Sequence, residues 1–129
     1  METNFVYMTT DQIEERKAKI AAIEGLEEIK AATAAWVNYH QAKMEFERGE
    51  REFEDVPAHN PGEIEELKKK YPRAAAYLEA ERWICSGNPI KVRLGSRAME
   101  KILDGEDPNA ALAEMSRGLD AFCLAQVGS

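Results

Sequence analysis

The sequence has no long apolar run and only two cysteines, and each shortage excludes a class of protein. No stretch approaches the ~20 consecutive apolar residues that a membrane-spanning helix needs, so we expect no membrane partner. Residues 1–8 carry an acid at Glu2 and have neither the basic nor the apolar segment of a secretory signal peptide. Cys85 and Cys123 are a lone, widely spaced pair, typical neither of a disulfide framework nor of a zinc motif. We expect both to be buried free thiols in a cytoplasmic protein.

Histidines are equally scarce, and His40 and His59 fit no pattern that binds a metal ion. Neither stands in an H-E-x-x-H or E-x-x-H spacing, and no glycine spacing of a nucleotide-binding loop occurs. We therefore predict no metal ion, nucleotide or other cofactor, and no enzyme. His40 keeps helical register with Trp36 and Met44, which favours packing on a buried face, and we expect His59 in solvent. Catalysis by His40 would require a pocket that places it beside an acid.

The net charge of -7 argues against nucleic-acid binding, which needs clustered Lys and Arg to neutralise phosphates. The acidity is uneven along the chain. Residues 1–57 hold thirteen acids and seven bases, whereas residues 58–129 hold eleven and ten. The first half therefore carries nearly all of the negative charge. The one early basic cluster, Lys68, Lys69, Lys70 and Arg73, is typical of an exposed helix turn, although it can also contact phosphates or a partner's acids.

Helical periodicity is the strongest positive signal, and it predicts an all-α fold. Thr9 and Gln12 make a capping box, after which nearly every residue up to about Arg48 is a good helix former. The apolar positions recur at spacings of three, four or seven: Ile13, Ile20, Ile23, Leu26, Ile29, Thr33, Trp36, Val37, His40 and Met44. We predict one long N-terminal helix that continues through Gly25, with a helical hairpin broken at Gly25 as the alternative.

The remainder of the chain is divided by proline, asparagine and glycine. Within a single domain we predict an N-terminal arm at 1–8, the long acidic helix or hairpin at 9–54, a linker at 55–62 and a C-terminal helical bundle at 63–127. Asn60, Asn88 and Asp107 each precede a proline and are predicted helix caps, while Pro72 opens a further helix. Three or four shorter helices result. We expect the last of them to bury one face, consisting of Leu112, Met115, Leu119, Phe122 and Cys123.

Residues 45–57 form the most distinctive run, because two phenylalanines stand among six acids. One interpretation is a helix end followed by a solvated loop. The other is an acidic surface with aromatic anchors that docks on a basic protein surface, including one that otherwise holds nucleic acid. The predicted partner-binding residues are Trp36, His40, Phe46, Glu47, Glu50, Glu52, Phe53, Glu54 and Asp55.

The C-terminal half also resembles a known kind of protein. The runs YPRAAAYLEAERW and GSRAMEKILDGEDPNAALAEM, within about residues 71–115, are similar to small proteins carried by phages and other mobile elements of Gram-positive gut bacteria. The resemblance transfers no catalytic residue. It implies an accessory protein of host–phage conflict, acting in the bacterial cytoplasm by binding and blocking a defence complex, as anti-CRISPR proteins do.

These observations lead to two functional hypotheses. A continuous helix over residues 9–48 would be ~60 Å long, more than a chain of this size can cover by itself. The first hypothesis is a non-enzymatic inhibitor or adaptor of phage or mobile-element origin, which binds a protein partner through the acidic first half as a monomer or a homodimer. The alternative is a self-associating assembly protein, such as a virion scaffold or chaperone.

Overall fold

A computed structural model describes residues 9–127, and these residues contain six α-helices and no strand. The all-α prediction is confirmed, whereas the predicted arm at 1–8 lies outside the described residues. A short 3-10 turn, Phe53–Asp55, interrupts the connection between the second and third helices. The helices are α1 Thr10–Ala21, α2 Leu26–Glu47, α3 Glu63–Lys70, α4 Pro72–Ile84, α5 Pro89–Leu103 and α6 Pro108–Val127. Within the described part of the chain, no helix is both long and apolar enough to cross a membrane.

The prediction of one long N-terminal helix through Gly25 is wrong. The capping box at Thr9 forms as predicted, but α1 ends at Ala21 after 12 residues and α2 begins at Leu26. Gly25 adopts φ +81°, a left-handed conformation that an α-helix cannot contain. Its Cα faces the ring of Tyr71, so closely that an added Cβ would overlap that ring. The turn therefore arises from a contact with a residue far along the chain.

Helix α1 lies against α5 and does not fold back along α2. Arg16 forms an ion pair with Glu100, and Lys19 Nζ lies 3.4 Å from Asp104 Oδ1. No residue of α1 is fully buried. Polar contacts along an exposed edge thus hold most of α1.

The prolines begin their helices as predicted, with one exception. Pro72, Pro89 and Pro108 are the first residues of α4, α5 and α6, and the Asn88 side chain accepts hydrogen bonds from the backbone of Ile90 and Lys91. The cap predicted at Asn60 is wrong by two residues. Asn60 Oδ1 instead accepts a hydrogen bond from Gly62 N at 3.1 Å, closing a turn before α3 starts at Glu63.

The core lies where α4, α5 and α6 pack together under the start of α2. Small side chains allow a close approach of α4 and α5: a Cβ on Gly95 would come within 2.8 Å of the Ala80 carbonyl oxygen. Arg73 connects the start of α4 to the end of α5. Its Nη1 donates to the carbonyls of Ile102 at 2.8 Å and Glu106 at 2.9 Å. The buried cluster consists of Ile23, Leu26, Ile29, Ala74, Ala76, Tyr77, Ala80, Ala98, Met99, Ile102, Ala111 and Met115.

Several side chains that were predicted to be buried are exposed. Cys85 and Cys123 are free thiols, as predicted, but both face solvent. On α6, Met115 is buried and Leu112 partly so, whereas Phe122 is 40% exposed. The reason is helix length, because α6 has 20 residues and α5 beside it has 15, so the last turns of α6 lack a neighbour.

The Gly25 turn gives the first testable prediction. Gly25→Ala should lower the free energy of unfolding by about 1–2 kcal/mol for the left-handed backbone, and by about 1–3 kcal/mol more for displacing Tyr71. Gly49→Ala is the matched control: Gly49 has φ +77°, and nothing lies within 4 Å of the position that a Cβ would take there. Urea denaturation followed by circular dichroism measures both. Equal losses for the two variants would contradict the role given to Tyr71.

Candidate functional site

Helix α2 is longer than the core against which it packs, and this leaves part of its inward face uncovered. Leu26 and Ile29 are buried in the core, at 3% and 1% exposure. The same helical face continues beyond the core as Thr33, Trp36, Val37, His40 and Met44, which we call the α2 stripe. Trp36, Val37 and Met44 are 44%, 47% and 56% exposed. An apolar surface that runs directly out of a core is typical of a docking site.

Aromatic rings hold the loop before α3 against α2. Tyr39 and His59 stack with their centroids 5.1 Å apart, and His40 contacts Trp36 at 4.3 Å. His59 was predicted to lie in solvent, but it is half-buried in this cluster. Within the described residues His40 has ring contacts only, with no hydrogen bond or ion pair to a carboxylate. His40 therefore packs against other rings, but on an exposed face and not on the buried one that was predicted, since Trp36 and Met44 are 44% and 56% exposed.

At the C-terminal end of α2, Phe46 of its last turn and Phe53 of the 3-10 turn form a surface feature that we call the aromatic knob. The rings of Phe46 and Phe53 meet edge to face, with centroids 5.6 Å apart. Phe46 is 40% exposed and Phe53 is 70% exposed. The 3-10 turn Phe53–Asp55 holds the second ring and places Glu54 and Asp55 beside it. The predicted arrangement of aromatic side chains among acids is therefore present on the surface.

Acidic side chains surround a depression next to the aromatic knob. This acidic cup, of about 480 Å³, is lined by Glu45, Gly49, Glu50, Arg51, Glu52 and Asp55. Arg51 spans it: Nε donates to Glu45 Oε2 at 2.7 Å, and Nη1 donates to the Asp55 carbonyl at 3.1 Å. The hydrogen bond from Arg51 lowers the pKa of Glu45, against a smaller opposing effect of desolvation. The lining carries four carboxylates and one guanidinium, a net negative charge.

The predicted partner-binding residues fall on two surfaces. Phe46, Phe53 and the acids of residues 50–55 lie around the 3-10 turn, whereas Trp36 and His40 belong to the α2 stripe. Val37 and Phe46 are nine residues apart, half a turn out of phase at about 100° per residue. Phe46 of the aromatic knob and Val37 of the α2 stripe therefore point in different directions, although both lie on α2.

A third feature was missed in the sequence, because its residues are distant along the chain. A cleft of about 470 Å³ lies between α2 and α4, with one contribution from α3. Lys30, Lys68 and Arg82 stand on its rim, and Glu79 is the only carboxylate among the described residues of its lining. We call it the cationic cleft. Its apolar part consists of Ile29, Thr33, Ala34, Val37, Ala75 and Leu78. Only the presence of Lys68 in the basic cluster signalled it in the sequence.

Glu79 is held in its charged form and offsets only one of the three positive charges of the cationic cleft. Arg82 Nε donates to Glu79 Oε2 at 3.2 Å, and Trp83 Nε1 donates to Glu79 Oε1 at 3.0 Å. The hydrogen bond from Arg82 is the largest cause of the lowered pKa of Glu79, and the charge of Lys68 contributes to it. Lys30 forms no ion pair with any described residue. The cleft therefore keeps a positive charge in an acidic protein.

Among residues 9–127, no three His, Cys, Asp or Glu side chains are placed together to hold a metal ion. Comparison with known proteins finds no matching family, no matching curated protein and no matching solved structure. Any function of this chain is therefore inferred from its own surfaces.

The acidic cup gives a prediction about pH. We expect the Glu45 carboxyl to titrate below its ordinary pKa in a carbon-detected NMR titration, and Arg51→Gln to return it toward that value. Because the pKa is lower in the folded chain, this contact stabilises the fold above the ordinary pKa and is lost as pH falls through the lowered one. Arg48→Gln is the control, since Arg48 is the last of the causes acting on Glu45. An equal shift in both variants would contradict the assignment.

Proposed function

We propose that the protein is a non-enzymatic inhibitor or adaptor that binds a basic protein surface through the aromatic knob. The observation that carries the proposal is the 70% exposure of Phe53, fixed in contact with Phe46. A large aromatic side chain held outward on a short turn loses little conformational freedom when a partner covers it. Such rigid aromatic side chains are the usual anchors of protein interfaces.

Energetics support an anchor at this position. Covering the exposed part of Phe53 would contribute about 2 kcal/mol, from the apolar area that it removes from water. The surrounding acids, Glu47, Glu50, Glu52, Glu54 and Asp55, would orient a positively charged partner and accelerate its association. Charge on this surface thus selects the partner, and the phenylalanines supply the affinity.

The resemblance of residues 71–115 to phage and mobile-element proteins gives the proposal its biological setting. A complex that defends a bacterium against phage handles nucleic acid and therefore exposes basic surfaces. An acidic protein with net charge -7 can occupy such a surface in place of the phosphates. We propose this form of inhibition, in the bacterial cytoplasm, as the way in which the protein acts.

Affinity capture from the lysate of a Gram-positive gut bacterium tests the proposal. The immobilised wild type should enrich specific proteins, and Phe53→Ser should lose them. Leu124→Ser is the matched control, because Leu124 on α6 is 72% exposed and its removal deletes a comparable apolar surface elsewhere. With the captured protein purified, Phe53→Ser should weaken binding by about thirtyfold in calorimetry, the effect of removing an aromatic anchor of ~2 kcal/mol.

Two results would contradict this proposal. One is the absence of any protein enriched with the wild type over an unrelated acidic protein. The other is equal enrichment with Phe53→Ser and with the wild type. Binding that does not weaken as salt concentration rises would remove the role given to the acids, since salt screens exposed charges.

The α2 stripe favours a second candidate function, that of a self-associating scaffold or assembly chaperone. An uncovered apolar face on a helix can be repeated from copy to copy into an open assembly. This function predicts a mass in multi-angle light scattering that keeps growing with protein concentration. A single small mass that does not change with concentration would exclude it.

A further inference from the structure

We propose that a second copy of this chain covers the α2 stripe, in a two-fold dimer with the α2 helices antiparallel. In this dimer the cationic cleft of each copy receives the acidic cup of the other. The apolar part of this interface is the α2 stripe and not the aromatic knob, so the dimer does not rest on the proposed function. The acidic cup adjoins the knob, and a partner bound there would compete with the second copy for Glu50, Glu52 and Asp55. It follows from three properties of the surface: its apolar character, the sign of charge at each end, and the order of these charges along α2.

The apolar α2 stripe is long and narrow, so the partner that covers it must have the same shape. The α2 stripe runs from Thr33 to Met44, a length of about 17 Å at ~1.5 Å per residue. It joins the apolar floor of the cationic cleft at Val37, which lines the cleft and is 47% exposed. A helix lying along α2 matches this shape, as in other complexes that seat one helix on another. The second copy supplies such a helix in its own α2.

The charges at the two ends of the surface have opposite signs. At one end, the cleft has three cations and one carboxylate, Glu79, which Arg82 and Trp83 already engage. At the other end, the acidic cup has four carboxylates. Arg51 pairs with Glu45 and Arg48 pairs with Glu50, which leaves Glu52 and Asp55 without an ion pair among the described residues. Lys30 forms no ion pair within the described residues, and the contact of Lys68 with Glu65 is long, at 3.9 Å. Each end therefore offers charge that the chain itself does not neutralise.

The order of the charges decides the orientation. The cleft flanks the first half of α2, from Ile29 to Val37, and the cup follows the last turn, from Glu45 to Asp55. Antiparallel helices bring the cleft of one copy to the cup of the other, twice, about an axis near His40 and Gln41. Parallel helices would bring like charges together. A two-fold contact also closes on itself, so it ends at two copies.

A helix from another protein could match the α2 stripe only with its own acidic and basic ends in the correct order. The second copy has both ends at the required separation without further assumption. The antiparallel arrangement also opposes the two helix dipoles favourably. The occupant of the α2 stripe is therefore the second copy.

The first test is the mass of the full chain in solution. Sedimentation equilibrium should give twice the chain mass of 14.5 kDa, and Val37→Glu should give the single chain, because it places a charge in the apolar interface. Circular dichroism should show unchanged helix content for Val37→Glu, since the residue is 47% exposed. A wild-type monomer, or a series of larger assemblies, would overturn the proposal.

The second test reverses the charges one end at a time. Lys30→Glu with Lys68→Glu makes the cleft acidic, and Glu50→Lys with Glu52→Lys makes the cup basic. Each double variant alone should dimerise at least about a hundredfold more weakly, because like charges then meet twice. Mixed in equal amounts, the two should form a heterodimer, since each acidic cleft meets a basic cup and the unaltered cleft meets the unaltered cup.

Lys17→Glu with Arg117→Glu is the matched control, because it makes the same change in net charge on α1 and α6 and should leave the dimer intact. Failure of the mixture to dimerise would overturn the pairing of cleft and cup. So would a loss of dimer in the control equal to that in the cleft variant. Binding of the partner at the aromatic knob is measured separately with Phe53→Ser, so failure of the dimer and failure of the proposed function give different results.

Discussion

The surface of this protein depends on a mismatch of helix lengths. Helix α2 has 22 residues, whereas α4, the longer helix against which it packs, has 13. Five of the twelve residues in the buried cluster are alanines, which let α4 and α5 approach closely but cover little area. The face of α2 that enters this core is therefore buried only in its first turns, although Ala42 on another face is 2% exposed. Its remaining turns carry the same apolar periodicity into solvent, where the α2 stripe and the aromatic knob lie.

The distribution of charge follows from the same arrangement. The chain is acidic overall, but the fold gathers lysines and an arginine from three helices at the buried end of α2 and leaves carboxylates at its free end. Neighbouring partners hold several of these groups in their charged forms, as the lowered pKa values of Glu45 and Glu79 show. A net charge of -7 thus conceals a surface with a positive and a negative end. Charge order along one helix, more than total charge, is what distinguishes possible partners.

Predictions from the sequence succeeded where the cause of a structure is local. Thr9 caps α1 and Asn88 caps α5 because each side chain reaches backbone groups two or three residues away. Pro72 begins a helix because its ring fixes φ and removes a donor that the first turn does not need. The gathering of Phe46, Phe53 and the acids was likewise predictable, since a few residues separate them. The exposure of Cys123 and Phe122 could not be predicted from the sequence, because it depends on where neighbouring helices end.

The sequence by itself determined that the protein is helical, where most of its helices begin, and that its first half is acidic. These properties arise from backbone sterics, hydrogen bonds between near neighbours and composition, all of which act within a few residues. The tertiary structure alone decided the turn at Gly25, because the ring that fills the space beside it belongs to Tyr71. It alone placed Lys30, Lys68 and Arg82 around one cleft, because packing between helices brings together residues that no local pattern connects.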